Sequence, residues 1–271
     1  EPPRELQKMI AGTLLDPVKG MHRYMTNSGY EEVREEVAGY LEETYGLPFT
    51  ASNVFMTNGS AGGLNILLKS MLNRGDEVIV PTPFFWEFKN YVVNHGGKLK
   101  TVRSKDDFQL DVDRMAAAIT PRTRAVLLNS PNNPTGAVYS QKSISDLVAL
   151  LNSKRSQGQD IYLIADDAYR KLVFDGITLP NLFKAYDLTF SINSHSKDLA
   201  LPGERIGYIA ISPRMPDAGL LVSGLMITQR TLGFVNAPAL FQRAVAKFQR
   251  TSVDIGEYQR KRDVLYDALM E

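Results

Sequence analysis

Residues 188–212 read LTFSINSHSKDLALPGERIGYIAIS and contain two apolar runs joined by a polar loop. The runs LTFSIN (188–193) and RIGYIAIS (205–212) have the length and the β-branched and aromatic content of buried strands. Lys197 lies in the polar stretch SHSKD (194–198) that follows the first run, after Ser194 and Ser196. A charged side chain at the end of a buried strand is costly unless it has a partner or a chemical task. The stretch therefore predicts a sheet with a functional lysine at its edge.

The rest of the chain alternates strand candidates with helical patterns. Further strands are predicted at 53–57, 77–81, 124–130 and 161–166, and helices at 31–46, 61–72, 86–95, 111–119, 143–155 and 238–250. Several strands are continuously apolar, which is typical of strands covered on both faces. The alternation predicts an α/β fold in which helices cover both faces of a mostly parallel sheet.

Composition excludes several classes of function. The 271 residues carry a formal net charge of +1, so no overall field favours nucleic acid or an anionic membrane. There is no cysteine, and the three histidines are too far apart in sequence for a zinc-binding helix, so we expect no metal site. No apolar run approaches the ~20 residues that span a bilayer, and the first residues lack a signal-peptide pattern. We expect a cytoplasmic protein that contacts neither nucleic acid nor membrane.

Polar residues follow the predicted strands at the edge where open α/β sheets bind ligands. Asp166 ends the run IYLIAD (161–166), where an aspartate is costly to bury without a cationic partner. Asp167 has the ordinary alternative of capping a following helix. Asn133 lies in SPNNPTG (130–136), which is also common turn chemistry.

Two further strand ends show features of a ligand site with ordinary alternatives. NGSAGGLN (58–65) opens a helix with a glycine-rich turn, and free N–H groups make such a turn a phosphate site or a plain tight turn. The aromatic residues of TPFFWEF (82–88) are either core or a stacking surface. One edge of the predicted sheet thus collects the groups that pyridoxal phosphate needs. They are a lysine, a strand-end acid, a tyrosine, an amide, an aromatic cluster, and a phosphate-binding turn with Arg205.

At these positions the sequence resembles the class I/II aminotransferases of the aspartate aminotransferase superfamily, which are fold type I pyridoxal-phosphate enzymes. The matching motifs are SPNNPTG (130–136), DDAYRKLVF (166–174) and SHSKDLALPGERIGY (194–208), in the family's order and spacing. The resemblance extends from about Tyr24 to the end of the chain. It implies the large domain of such an enzyme, with an incomplete small domain.

The resemblance also implies a role for each matching residue. Lys197 is the internal-aldimine lysine and later the base that moves the substrate Cα proton, and Asp166 is the partner of the pyridine nitrogen. Tyr169 and Asn133 bond the ring oxygen, and Phe85 stacks on the ring. The phosphate contacts are Ser60, Ala61, Ser194, Ser196 and Arg205, with Tyr24 reaching the phosphate of the partner subunit in a homodimer.

The implied function is transamination between an amino acid and a 2-oxo acid, in amino-acid metabolism and biosynthesis, with pyridoxal 5′-phosphate as cofactor. An alternative is another reaction at the α-carbon, such as β-elimination, because the cofactor's electron sink serves both. A third interpretation is a non-catalytic domain that senses pyridoxal phosphate, as found fused to DNA-binding helices. The sequence contains no basic helix-turn-helix segment, which counts against it.

The predicted domains are an N-terminal segment of the small domain (1–23), a large cofactor-binding domain (24–258) and the start of a truncated C-terminal small domain (259–271). Little structure is expected before Gly20, whereas 258–271 has a helical pattern with no stop signal. The family's arginine for the substrate carboxylate and its N-terminal glycine-containing segment have no match here. The resemblance thus implies a nearly complete cofactor site and a partial substrate site.

Overall fold

The computed structural model of the chain describes residues 1–17 and 19–271; Val18, within the predicted N-terminal segment, lies outside the described residues. The seven strands are β1 (Val54–Thr57), β2 (Glu77–Thr82), β3 (Lys98–Arg103), β4 (Thr123–Asn129), β5 (Tyr162–Asp166), β6 (Thr189–Ser194) and β7 (Gly207–Ile211). The helices are α1 (Arg4–Leu15), α2 (Glu31–Tyr45), α3 (Gly59–Met71), α4 (Glu87–Asn94), α5 (Val112–Ala118), α6 (Gln141–Ser156), α7 (Leu182–Ala185), α8 (His195–Asp198), α9 (Ala218–Thr231), α10 (Ala239–Ala246) and α11 (Ile255–Met270). None of these helices is long and apolar enough to cross a membrane.

All seven strands form one sheet in the order β1-β7-β6-β5-β4-β2-β3. Strands β2 to β6 are all parallel to one another, whereas β7 is antiparallel to both β6 and β1. Because β7 is antiparallel to both β1 and β6, β1 runs in the same direction as β6. The carboxyl end of β1 therefore lies at the same edge of the sheet as that of β6. The prediction of a mostly parallel α/β sheet is confirmed.

Helices cover both faces of the sheet, as predicted. The alternation within β7 shows this, because Ile209 and Ile211 pack in one apolar cluster with α3, α4, α6 and α9, while Tyr208 and Ala210 pack in a second with α1, α2 and α10. Successive strand residues point to opposite faces, so β7 and its neighbour β1 each contribute to both clusters. Each fully buried Val, Leu, Ile or Phe contributes about 1.5–3 kcal/mol relative to exposure. The core therefore fixes the strands whose ends carry the polar residues.

Several elements differ from the sequence prediction. Helix α1 occupies residues for which little structure was expected, and α9 was not predicted. Strand β3, KLKTVR, was missed because only Val102 in it is buried and it lies at the sheet edge beside β2 alone. The predicted strand 205–212 begins later, because Arg205 has a left-handed backbone (φ 52°) and cannot continue a strand.

The predicted domain boundaries stay predictions. The boundary between residues 258 and 259 falls within α11, whose helical pattern was expected. At the other end, α1 packs on α10 rather than standing apart, and its Leu6 is fully buried in the second cluster.

Candidate active site

A cavity of about 260 Å³ opens at the carboxyl edge of the sheet. All the predicted site residues except Ala61 and Tyr24 line it. Its lining consists of Ser60, Phe85, Asn129, Asn133, Asp166, Ala168, Tyr169, Ser194, Ser196, Lys197, Pro202 and Arg205. Residues that are far apart in sequence meet here because the parallel strands end at one edge.

Asp166 is the last residue of β5 and is held between β4 and β6. It pairs with Asn129 on one side and Ile192 on the other. Only 7% of the residue is exposed, and its carboxylate accepts a hydrogen bond from the Ala168 amide at 3.3 Å. Burial raises the pKa of Asp166 to about 7; the Ala168 hydrogen bond opposes this and the charge of Asp167 adds to it. Among the residues that the structure describes, none forms a salt bridge with Asp166, although burial of a carboxylate favours a cationic partner.

Asp167 has a different environment from its neighbour. Its carboxylate accepts a 2.5 Å hydrogen bond from the Ser191 hydroxyl on β6. Burial raises its pKa, while the positive charge of Arg170 opposes the rise. Residues 168–171 form turns, so the alternative in which Asp167 caps a helix is wrong. Of the two adjacent aspartates, Asp166 alone lines the cavity.

Tyr169 and Asn133 form the side of the cavity next to Asp166. Burial and the nearby charge of Asp166 raise the pKa of the Tyr169 hydroxyl, and a hydrogen bond with the Asn133 side chain opposes the rise. The amine of Lys197 lies 5.8 Å from the centre of the Tyr169 ring. The hydroxyl and the amide are thus polar groups on the same wall as the lysine.

Asn129 is a site residue that the sequence reasoning missed. Its side chain donates to the Asp166 carbonyl at 2.9 Å and accepts from the Asn133 amide at 2.7 Å. It therefore ties the end of β4 to both β5 and the loop that carries Asn133. The available signal was a polar residue at the end of the apolar run RAVLLN, the same signal that identified Asp166.

The opposite end of the cavity is suited to an anion. Helix α3 begins at Gly59, so its free N–H groups and the Ser60 side chain face the cavity end. The Ser194 and Ser196 hydroxyls are 2.7 Å apart, and the Ser196 amide donates to Ser194 Oγ at 3.2 Å. Arg205 adds a guanidinium that is held by a 2.7 Å hydrogen bond to the Pro202 carbonyl. This is the donor set that a phosphate prefers.

The register of β1, β7 and β6 joins the two halves of this anion site. Gly207 pairs with Thr57 on one side and Ser194 on the other. A β-carbon on Gly207 would stand 2.2 Å from the Asn193 carbonyl oxygen, so any larger residue would force β6 and β7 apart. Glycine at this position brings the turns after β1 and β6 to one cavity.

Phe85 contributes an aromatic side chain to the cavity lining. It is half-buried and packs edge-on against Phe88, with ring centres 5.6 Å apart and planes at 83°. Phe84 and Phe85 both pack against the first apolar cluster, whereas Trp86 is 67% exposed. Of the three adjacent aromatic residues, Phe85 is the one that lines the cavity.

A second, larger cavity of about 630 Å³ adjoins the first. The two share Asn133, Tyr169, Ser196, Lys197 and Pro202. The larger one is closed in part by Leu172, Phe174 and Tyr258. A small molecule in the second cavity would reach the lysine and the tyrosine.

Two predicted residues lie outside the cavity lining. Ala61 is in the first turn of α3. Tyr24 is 89% exposed and lines a separate cavity of about 230 Å³, with Phe234 and Asn236 among its neighbours. The chain alone does not bring Tyr24 to the other predicted residues.

The chain is similar to known proteins over most of its length. The family model described as aminotransferase class I and II matches residues 7–271. A probable aspartate aminotransferase of Methanocaldococcus jannaschii is 28% identical over 258 residues, covering 93% of this chain and 67% of that protein. The aspartate/prephenate aminotransferase of Thermus thermophilus is 31% identical, covering 93% and 65%. The chain spans about two thirds of the length of these curated relatives.

Solved structures show the same likeness. The crystal structure of an amino transferase from Eubacterium rectale superimposes with a TM-score of 0.96 at 38% sequence identity, over 99% of this chain and 69% of that one. A Thermus thermophilus aspartate aminotransferase double mutant gives a TM-score of 0.87 at 28% identity, over 100% and 69%.

Proposed function

Because the chain belongs to the class I and II aminotransferases, we propose that its 260 Å³ cavity binds pyridoxal 5′-phosphate and that the protein transfers an amino group between an amino acid and a 2-oxo acid. The observation that carries this proposal is the placement of three groups. Asp166, a buried acid without a salt bridge among the described residues, and the Lys197 amine share a cavity whose far end holds Arg205 and the first turn of α3. The cofactor has a matching nitrogen, aldehyde and phosphate.

Asp166 fits the pyridine nitrogen. Its pKa of about 7 in the chain alone reflects burial without a cation. A protonated ring nitrogen in contact would favour the carboxylate form, because an opposite charge lowers the pKa of an acid. Asp166 would then hold the proton on that nitrogen. When bound, the cofactor supplies an electron sink for the electrons left at the substrate Cα.

The anion site fits the cofactor phosphate. Ser60, Ser194 and Ser196 offer hydroxyl groups, and the amide of Ala61 belongs to the first turn of α3. Arg205 supplies two parallel N–H donors and a charge that persists at any working pH. These residues would fix one end of the ring and leave the other end beside Lys197.

The remaining residues would orient the ring. Tyr169 and Asn133 would donate to its phenolic oxygen, and Phe85 would pack on its face. Asn129 would act indirectly, by holding Asp166 and the Asn133 loop in place.

Lys197 would act twice. It would hold the cofactor through its aldehyde, with water as the leaving group. Once freed by an incoming amino acid, its amine would accept and move the proton released from the substrate Cα. The adjoining 630 Å³ cavity has room for that amino acid.

We also propose a homodimer, with the domains bounded at 23/24 and 258/259. Tyr24 is 89% exposed and lies away from the site of its own chain, which is compatible with a contact to the partner's phosphate site. The partner would then complete the anion site.

The experiment is visible absorption spectroscopy of the full-length protein with pyridoxal phosphate, before and after a panel of amino acids. We expect a band of lysine-bound cofactor that needs Lys197 and bleaches with at least one donor. Lys197→Ala should abolish the band, while Lys98→Ala should keep it, because Lys98 is exposed at the amino end of β3.

The products distinguish the reaction type. A 2-oxo acid and a new amino acid in equal amounts indicate transamination, whereas ammonia with pyruvate would indicate β-elimination. A band that no amino acid changes would contradict an enzymatic role, and no band at all would overturn the cofactor assignment.

A further inference from the structure

A buried polar cluster lies beneath the short helix that carries Lys197. His195 and Asp198, on either side of Lys197 in α8, are 1% and 3% exposed, and Gln249 is fully buried. Lys171 reaches the same place from the turn after β5. These four residues, the His195 cluster, do not line the cavity and have no part in the chemistry proposed above.

The contacts within the His195 cluster are mutually consistent. His195 Nδ1 is 3.2 Å from each Asp198 oxygen, and His195 Nε2 is 3.2 Å from the Gln249 side-chain amide nitrogen. That amide nitrogen also donates to the Val245 carbonyl at 2.9 Å. A proton on Nδ1 lets the ring donate to Asp198.

Lys171 and Asp198 carry opposite charges and form an ion pair within the His195 cluster. Lys171 Nζ lies 3.0 Å from Asp198 Oδ2 and also donates to the Gln249 carbonyl at 2.5 Å. Burial acts to raise the pKa of Asp198, but His195 and Lys171 outweigh it and hold that pKa below the usual value. Lys171 and Asp198 therefore form an ion pair whose side chains are 15% and 5% exposed.

Backbone hydrogen bonds fix the same turn. The His195 amide donates to the Ile206 carbonyl at 3.0 Å, and the Leu201 amide donates to the His195 carbonyl at 3.1 Å. The Val253 amide donates to the Asp198 carbonyl at 2.7 Å. These hydrogen bonds connect the turn to the residue before β7, to the loop that follows the turn, and to the segment before α11.

We propose that His195 and Asp198 are positioning residues for Lys197, an inference that rests on the proposed function. A four-residue helix does not form on its own, so the direction of Lys197 depends on what anchors its neighbours. A buried ion pair contributes little net stability compared with apolar packing, but it selects one arrangement. The cluster anchors the buried face of α8, which leaves Lys197 on the exposed face, directed at the cavity.

The test compares His195→Leu with His195→Asn in the full-length protein. Leucine removes both ring contacts, whereas asparagine keeps a donor near the position of Nδ1 and so keeps the bond to Asp198. His95→Leu is the matched control, because His95 is half-buried and bonded to Asn65 away from the cavity.

The first measurement is amide hydrogen exchange of residues 195–201 in the cofactor-free protein. We expect His195→Leu to lower protection there by at least about tenfold, and His195→Asn by much less, with β4 unchanged. The second is steady-state kinetics, in which His195→Leu should lower kcat by about tenfold or more with little change in KM, because a misplaced base affects the proton transfer more than binding. His95→Leu should change neither.

If His195→Leu does not fold, the pair Lys171→Met with Asp198→Asn replaces it, because removing both charges leaves no unpaired buried ion. Exchange in 195–201 and kcat both close to wild type would overturn the inference. An equal loss of amide protection in β4 would also overturn it. The same holds for lower protection in 195–201 with an unchanged kcat. If the wild type forms no lysine-bound cofactor, the proposed function fails, which is a different result from a functional enzyme that is insensitive to His195.

Discussion

The guanidinium of Arg205 lies against the Cα of Gly59, so that a β-carbon on Gly59 would stand 2.9 Å from Arg205 Nη2. The two residues are far apart in the sequence and meet because β7 lies between β1 and β6. Gly59 also has a positive φ of 69°, which L side chains rarely adopt. Glycine at this position lets the arginine and the first turn of α3 face one anion.

Gly59→Ala should weaken the anion site. We expect the dissociation constant for pyridoxal phosphate to rise by about tenfold or more, since the methyl group displaces Arg205 and strains the turn. Spectroscopic titration measures it. Gly39→Ala is the control, because a β-carbon there meets nothing within 4 Å and alanine in α2 should stabilise the fold by about 0.5–1 kcal/mol. Equal affinities in Gly59→Ala and wild type would contradict this account.

Arg205→Gln should weaken the binding of the cofactor's phosphate group and leave the binding of the rest of the cofactor unchanged. The lost charge-assisted hydrogen bonds are worth about 1.5–3 kcal/mol, so affinity for pyridoxal phosphate should fall by about ten- to a hundredfold. Affinity for pyridoxal, which has no phosphate, should stay the same. Titrating both ligands with both proteins gives the comparison, and an equal loss for the two ligands would place Arg205 elsewhere.

Asp166→Asn should stabilise the cofactor-free protein at high pH. The folded-state pKa of about 7 exceeds the usual 3.8, so the folded chain keeps a proton that the unfolded chain releases. This contribution to stability is complete below pH 3.8 and is lost as pH rises through about 7. Asparagine avoids the loss.

We therefore expect Asp166→Asn to exceed wild type in free energy of unfolding at pH 8 by about 2–4 kcal/mol, and by less at pH 5. Urea unfolding of the cofactor-free proteins at the two pH values measures the difference. The same variant should slow Cα proton loss in the loaded enzyme, because it cannot hold the ring nitrogen's proton. A stability difference independent of pH would show that Asp166 titrates normally.

A hybrid dimer tests the proposed contribution of Tyr24. Lys197→Ala and Tyr24→Ala should each be impaired as homodimers. In a hybrid of the two, one site combines an intact Lys197 with the partner's intact Tyr24, so activity should return to about half that of wild type. Hybrids purified with two different tags provide the measurement. A hybrid no better than its parents, or a fully active monomer in sedimentation, would refute the shared site.

The site was predictable where one rule applied, namely that polar residues at the ends of apolar strands gather at one edge. That rule found Asp166, Lys197 and Asn133, and it would have found Asn129 had it been applied to RAVLLN. The resemblance to a family supplied Phe85 and Arg205, whose ordinary alternatives the residues alone did not exclude. Strand β3 was missed because an edge strand with one buried residue shows no clear alternation, and helix α9 because two of its three buried residues, Thr228 and Gln229, are polar.

The sequence by itself determined the α/β class, the family and most residues of the cavity, because hydrophobic periodicity and short motifs are local properties of the chain. Only the tertiary structure decided that β7 runs antiparallel between β1 and β6, which brings Gly59 against Arg205. It alone also showed that Lys171 and Gln249 meet His195 and Asp198 beneath Lys197. The reason is physical: strand order and burial arise from packing between distant segments, and the cost of an unpaired buried charge selects the partners that meet.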